Sequence, residues 1–99
     1  MGGLRRQPGQ DAMIRLRHDA VAWQEVDGQL ILLDTRSSRY LGVNHTGATL
    51  WPQIVDGATV EELTTLLATS TRLALTAARA DVEAFVAHLT SLDMITTSS

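Results

Sequence analysis

Short runs of alternating apolar and polar residues fill the first half of the chain, and apolar residues recur at helical spacing through the second. Met13 to Arg17 alternates, with Ile14 and Leu16 on one side, which is a short strand signal. Val21 to Val26 predicts a strand with Val21 and Trp23 on one face, and Asp27-Gly28 after it is a hairpin signal, because a type I′ turn needs positive φ at both positions. Gln29 to Leu33 is apolar on both faces, as a central strand covered on both sides would be. Asp34 to Ser38 is polar and lacks glycine, so a loop of about four residues built on a type I turn is expected. Arg39 to Val43 is the next strand, with Leu41 and Val43 on one face and Tyr40 on the other; Gly42 marks a bulge or a close approach by another backbone.

Asn44 is placed to cap a helix through Ala48, Leu50, Trp51, Ile54 and Val55, which Asp56-Gly57 ends. Pro52 predicts a kink in it or a late start to its regular part, since proline removes one i to i−4 bond. Thr59 and Glu62 form a capping box ahead of the stripe Val60, Leu63, Leu66 and Leu67. Ser70 to Leu75 reads as a loop whose Leu73 and Leu75 tuck under the domain, and Thr76 as the cap of a last helix carrying Val82, Phe85, Val86, Leu89 and Leu92. Met94-Ile95 is expected to return to the sheet. The order is α+β: a three-stranded antiparallel sheet followed by three helices, an arrangement like a winged helix-turn-helix. Residues 12–97 are expected to form a single domain behind a disordered tail at 1–11, a stretch with three Gly, one Pro and two Arg.

Composition narrows the chemistry. The net charge is −3 and all eight basic residues are Arg, so nothing points to nucleic acid or an anionic membrane. There is no cysteine for a disulfide, a thiolate metal site or a nucleophile, and no apolar run long enough to span a bilayer; a cytoplasmic protein is expected. His18, His45 and His88 have no metal-ligand spacing, Glu61-Glu62 is explained by capping, and no phosphate-binding glycine loop is present. No metal, no cofactor and no catalytic residue are expected.

The run LILLDTRSSRYLGVNHTGATLW, then TVEEL, then DVEAFVAHLTSLDMI, resembles the PqqD family. These are the recognition elements for precursors of ribosomally synthesised, post-translationally modified peptides, and the chain looks most like the free-standing members of lasso-peptide clusters. The likeness spans Val21 to Ile95. It departs from the family at Pro52, where a helix former is usual, and at Ser38 and Asp93, where glycine is usual. The resemblance implies a non-catalytic peptide chaperone. Such a protein binds the leader of a precursor peptide as an added strand and presents it to a leader peptidase and an asparagine-synthetase-like cyclase. The leader in lasso-peptide systems commonly carries Tyr-x-x-Pro.

The physical logic agrees with that reading. The last strand of a meander is an edge with unpaired N–H and C=O groups, open to β-augmentation. Arg39, Tyr40, Leu41, Gly42 and Val43 are the expected peptide-binding edge, with Arg39 offering charge to an acidic leader and Gly42 a close approach. A proline at Leu41 or Gly42 would remove an edge donor wherever that N–H points outward. On the last helix Val82, Val86 and Leu89 are the expected wall of the groove, flanked by Arg79 and Glu83, while Phe85 and Leu92 face the core. Taken alone, an alternating strand is half a core, and valines at i and i+4 pack on a sheet, so the groove rests on the resemblance. Two other functions fit the same elements: a winged-helix DNA-binding regulator, which wants a more basic recognition helix than this one, and a homodimeric assembly subunit pairing through its sheet edge. Met13–Arg17 covers either the first or the last edge of the sheet, and over the last it would compete with a guest.

Overall fold

A computed structural model describes residues 13–98. Eight elements follow in order: β1 Met13–Leu16, β2 Val21–Val26, β3 Gln29–Asp34, β4 Arg39–Val43, α1 His45–Asp56, α2 Val60–Thr71, α3 Leu75–Ser91 and β5 Ile95–Ser98. The proposed tail at 1–11 lies outside the described residues. Strands β2, β3 and β4 form an antiparallel sheet in that order, and the three helices follow it, so the α+β expectation holds.

Two turns fix the register of the sheet. Asp27 and Gly28 take φ of 53° and 78°, the type I′ pattern, and set Val26 opposite Gln29. The second turn closes with the Ser38 N–H donating to the Asp34 carbonyl at 2.8 Å and sets Asp34 opposite Arg39. Ser38 pays for this closure with a φ of 61°. Leu30, Leu32 and Val43 are thereby buried under the helices, while Ile31, Leu33 and Tyr40 lie on the opposite face, where Tyr40 is 74% exposed.

β1 covers neither edge of this sheet. It pairs with β5 in a separate two-stranded ribbon, from Met13 opposite Ser98 to Leu16 opposite Ile95. Ile14 and Ala58 exchange backbone bonds of 2.7 and 3.0 Å, tying the ribbon to the α1–α2 link. Met94-Ile95 therefore returns to β1 and not to the main sheet. Ile14 and Leu16 enter the core between the ribbon and the helices, alongside Ile54, Leu63, Leu67 and Ile95.

The helix ends follow the local chemistry in two of three cases. Asn44 Oδ1 accepts from the Gly47 N–H at 2.9 Å, and the Thr59–Glu62 capping box closes with bonds of 3.1 and 2.9 Å. The third differs: α3 starts at Leu75 with Ala74 at its N-cap, two residues ahead of Thr76, and no side chain caps it. α2 runs on through Ser70, and the connection shrinks to Arg72–Ala74. Leu73 and Leu75 stay 37% and 63% exposed in place of tucking under the domain. α1 is continuous through Pro52, which lies exposed in its third turn, so the expected kink or late start does not interrupt the helix.

Trp51 is 3% exposed and its indole N–H has no hydrogen-bond partner among the described residues. Its ring stands edge-to-face with Trp23 at 5.7 Å. Trp51→Ala should therefore cost about 3–5 kcal/mol in denaturant unfolding, whereas Trp51→Phe should cost far less because no hydrogen bond is lost with the indole. Ser38→Gly should raise stability by up to ~1 kcal/mol, since a side chain in the left-handed region costs about 1–2 kcal/mol; an unfolding midpoint no higher than that of the parent would count against strain at this turn.

Candidate functional site

Hydrogen bonding between antiparallel strands alternates along each strand, so one anchored pair determines the rest. The Thr35 N–H donates to the Ala20 carbonyl at 2.9 Å, which makes Ala20 and Thr35 a bonded pair. In the register of the sheet, Ala22–Leu33, Gln24–Ile31 and Val26–Gln29 are then the bonded pairs of β2 and β3. The alternate residues of β3, Leu30, Leu32 and Asp34, bond to Val43, Leu41 and Arg39 of β4. Tyr40 and Gly42 are left with their N–H and C=O groups pointing away from the sheet. No strand pairs with this edge among the described residues. Leu41 points its amide inward, so of the two proline positions only Gly42 tests the edge.

Beside that edge lies a groove whose other wall is α3. One recess of about 450 Å³ is lined by Arg39, Tyr40 and Leu41 of β4, by His88, Ser91 and Leu92, and by Met94. A second, of about 310 Å³, is lined by Asn44, Thr46 and Gly47 and by Asp81, Ala84, Phe85 and His88. His88 lines both, so the recesses are neighbours along the helix. Gly47 is what lets the second one form. A side chain there would overlap Val43 and come within 2.9 Å of the Phe85 ring, so α1 would have to move away from α3.

The α3 wall is displaced by a few residues from the expected one. Val82 and Leu89 are fully buried and Val86 is half-buried against the core, so this stripe holds the helix to the body. Phe85 and Leu92, expected in the core, are half-buried: they pack against it and also line the groove. Arg79 and Glu83 also lie away from it: Arg79 donates to Glu61 at 2.8 Å and to Glu83 at 3.2 Å, linking α3 to α2. The bond it donates to Glu61, then the one to Glu83, raises the pKa of Arg79. Of the ten expected residues, Arg39, Tyr40 and Leu41 line the groove and Gly42 lies on its edge, whereas Val43 is buried in the core and the five of α3 line neither recess. The missed ones are Asp81, Ala84, Phe85, His88, Ser91 and Leu92, which repeat at 3 and 4 positions along one helical face. Arg39 makes no ion pair among the described residues and remains available to a guest.

Arg36 fixes one end of the groove. Its guanidinium donates to Asp34 Oδ1 at 3.1 Å, to Asp93 Oδ2 at 3.0 Å and to the Asp93 carbonyl at 2.9 Å, stapling the β3–β4 loop to the end of α3. Asp93 also pairs with Arg17 at 3.2 Å and holds a φ of 58°. Both positions where the sequence lacks an expected glycine, Ser38 and Asp93, are thus left-handed.

Among the described residues no group of three His, Cys, Asp or Glu is placed to hold a metal ion, and no helix is long and apolar enough to cross a membrane.

Residues 29–95 match the model of coenzyme PQQ synthesis protein D (PqqD). The chain belongs to the PqqD family. Two solved structures share its fold. One is described as lasso peptide synthetase B1 complexed with the leader peptide: 28% identity, TM-score 0.74, covering 84% of this chain and 96% of that one. The other is TbiB1 in complex with the TbiA(beta) leader peptide: TM-score 0.74, covering 82% and 93%, but at 20% identity it bears on the fold alone. No curated protein sequence matches. The PqqD match begins at β3 and ends in β5, so it contains β4, α3 and the whole groove between them, and leaves β1 and β2 outside.

Hydrogen bonds from Arg36, first from its side chain and then from its backbone, hold the Asp34 carboxyl below its ordinary value of 3.8. A depressed carboxylate stabilises the fold above the unfolded-state value and loses that contribution as pH falls through the folded one. Arg36→Ala should therefore lower the melting temperature at pH 7, and the gap to the parent should narrow below about pH 4. A gap unchanged from pH 7 to pH 2 would count against the staple.

Proposed function

We propose that this PqqD-family chain is a non-catalytic recognition protein that binds the leader of a ribosomally made precursor peptide, of the lasso class, as a strand added to β4. It then presents the leader to a leader peptidase and an asparagine-synthetase-like cyclase. The observation that carries this reading is the open β4 edge beside a groove: Tyr40 and Gly42 offer backbone groups, and α3 offers recesses for side chains. The similarity to lasso peptide synthetase B1, whose structure contains its leader, supports the choice of guest.

Dimensions support a leader with Tyr-x-x-Pro. Phe85 lines one recess and Leu92 the other, seven residues apart, which is about 10 Å of helix. Three residues of extended peptide also span about 10 Å, so anchors at i and i+3 would enter one recess each. Arg39 favours an acidic residue near the end of the guest that meets the first recess. DNA binding has less support, since Arg79, the one arginine of α3, is engaged by Glu61 and Glu83.

Calorimetric titration with the leader encoded beside this chain should give a low-micromolar or tighter complex, roughly −8 kcal/mol. Gly42→Pro should weaken it tenfold or more by removing an outward N–H. Ala84→Trp, at an exposed position that fills the second recess, should do the same with the β4 edge left intact. No binding to any encoded leader overturns the reading, and full affinity in both variants moves the site away from β4 and α3.

A further inference from the structure

The other margin of the sheet is also uncovered among the described residues, and it has a recess of its own. By the same alternation, Trp23 and Glu25 of β2 point their N–H and C=O groups away from β3. Next to them, between β2 and α1, lies a recess of about 500 Å³. Trp23, Trp51, Ala48 and Val55 supply its apolar lining, and Glu25 and Asp56 bring carboxylates to it. Neither carboxylate forms an ion pair among the described residues.

We propose that the β2 edge is a second docking site, which takes an extended segment of a partner protein carrying an arginine or lysine. Pro52 adds a reason beyond the two carboxylates. It has no N–H to give to the carbonyl of Ala48, four residues earlier, and both residues line the recess. The site is thus rich in acceptors and aromatic surface. A basic side chain fits both features, because its alkyl stem lies against indole while its charged end meets carboxylate and carbonyl oxygens.

Charge separates this edge from the other. Arg39 stands at the β4 groove beside one carboxylate without an ion pair among the described residues, Asp81, whereas Glu25 and Asp56 line the β2 recess with no cationic side chain and favour a cationic guest. A second copy is the poorer occupant, since pairing β2 with β2 about a two-fold axis gathers Glu25 and Asp56 of both copies at one seam. The edges are separated by β3, about 10 Å across the sheet, so occupants of both are compatible. Trp23, Gln24 and Glu25 precede Gln29, where the match to the PqqD model begins, so this recess is built partly from residues outside it.

The experiment needs no leader, so its failure and that of the leader reading are distinguishable. The isotope-labelled chain is titrated with the strand peptide acetyl-Thr-Val-Arg-Val-Thr-amide and with its Glu counterpart. The Arg peptide should shift the amides of Trp23 and Glu25 and the indole signals of Trp23 and Trp51, and should bind at least tenfold tighter than the Glu peptide. Glu25→Arg combined with Asp56→Arg, both at exposed positions, should abolish that preference while the remaining spectrum keeps its dispersion. No shifts at millimolar Arg peptide, equal responses to both peptides, or shifts confined to Tyr40 and Gly42 would overturn the proposal. Concentration-dependent changes at Trp23 and Glu25 without peptide would assign the edge to a second copy and overturn it equally.

Discussion

The hydrogen-bond register of β3 is the constraint on which the rest depends. Its residues alternate between bonding to β2 and bonding to β4, and its side chains alternate between the helices and the open face. A slip of one residue would put Leu30 and Leu32 in solvent and reverse the amides that reach the sheet's margins. Two turns hold the register, one at Asp27-Gly28 and one at Thr35–Ser38, and both use left-handed residues. Which backbone groups meet a guest is therefore decided at turns remote from the guest.

α3 serves two surfaces at once. Val82 and Leu89 are committed to the core, and the neighbouring stripe through Phe85, His88 and Leu92 faces β4 across the groove. The division follows from packing: α2 takes the most continuously apolar face, and the mixed face is left to the opening. Gly47 and Arg36 then set the ends. One permits a close approach of α1 and Phe85, and the other holds the β3–β4 loop to the end of the helix through Asp93.

Closing β1 on β5 and Ala58 has a consequence for the sheet. The ribbon that anchors the first and last described strands in the core does so without occupying either margin of the sheet. Exposed edges invite promiscuous pairing. Here both are short, and each lies beside side chains of different charge, Arg39 at one and Glu25 and Asp56 at the other. Such asymmetry distinguishes the two edges.

Much of this was local and so legible in the chain itself. The Asp27-Gly28 turn, the Asn44 cap, the Thr59–Glu62 box and the alternation of Arg39 to Val43 each rest on chemistry within a few residues. The family likeness was carried by a continuous run from β3 into α1. What the sequence did not determine depends on contacts distant along the chain. Val82 and Phe85 are equally apolar at helical spacing, and only the positions of α2 and β4 decide which one is buried. Likewise, Met13–Arg17 reads as a strand without stating its partner, because pairing with β5 joins residues at opposite ends of the chain. That pairing left β4 open, and the three-dimensional structure alone could decide it.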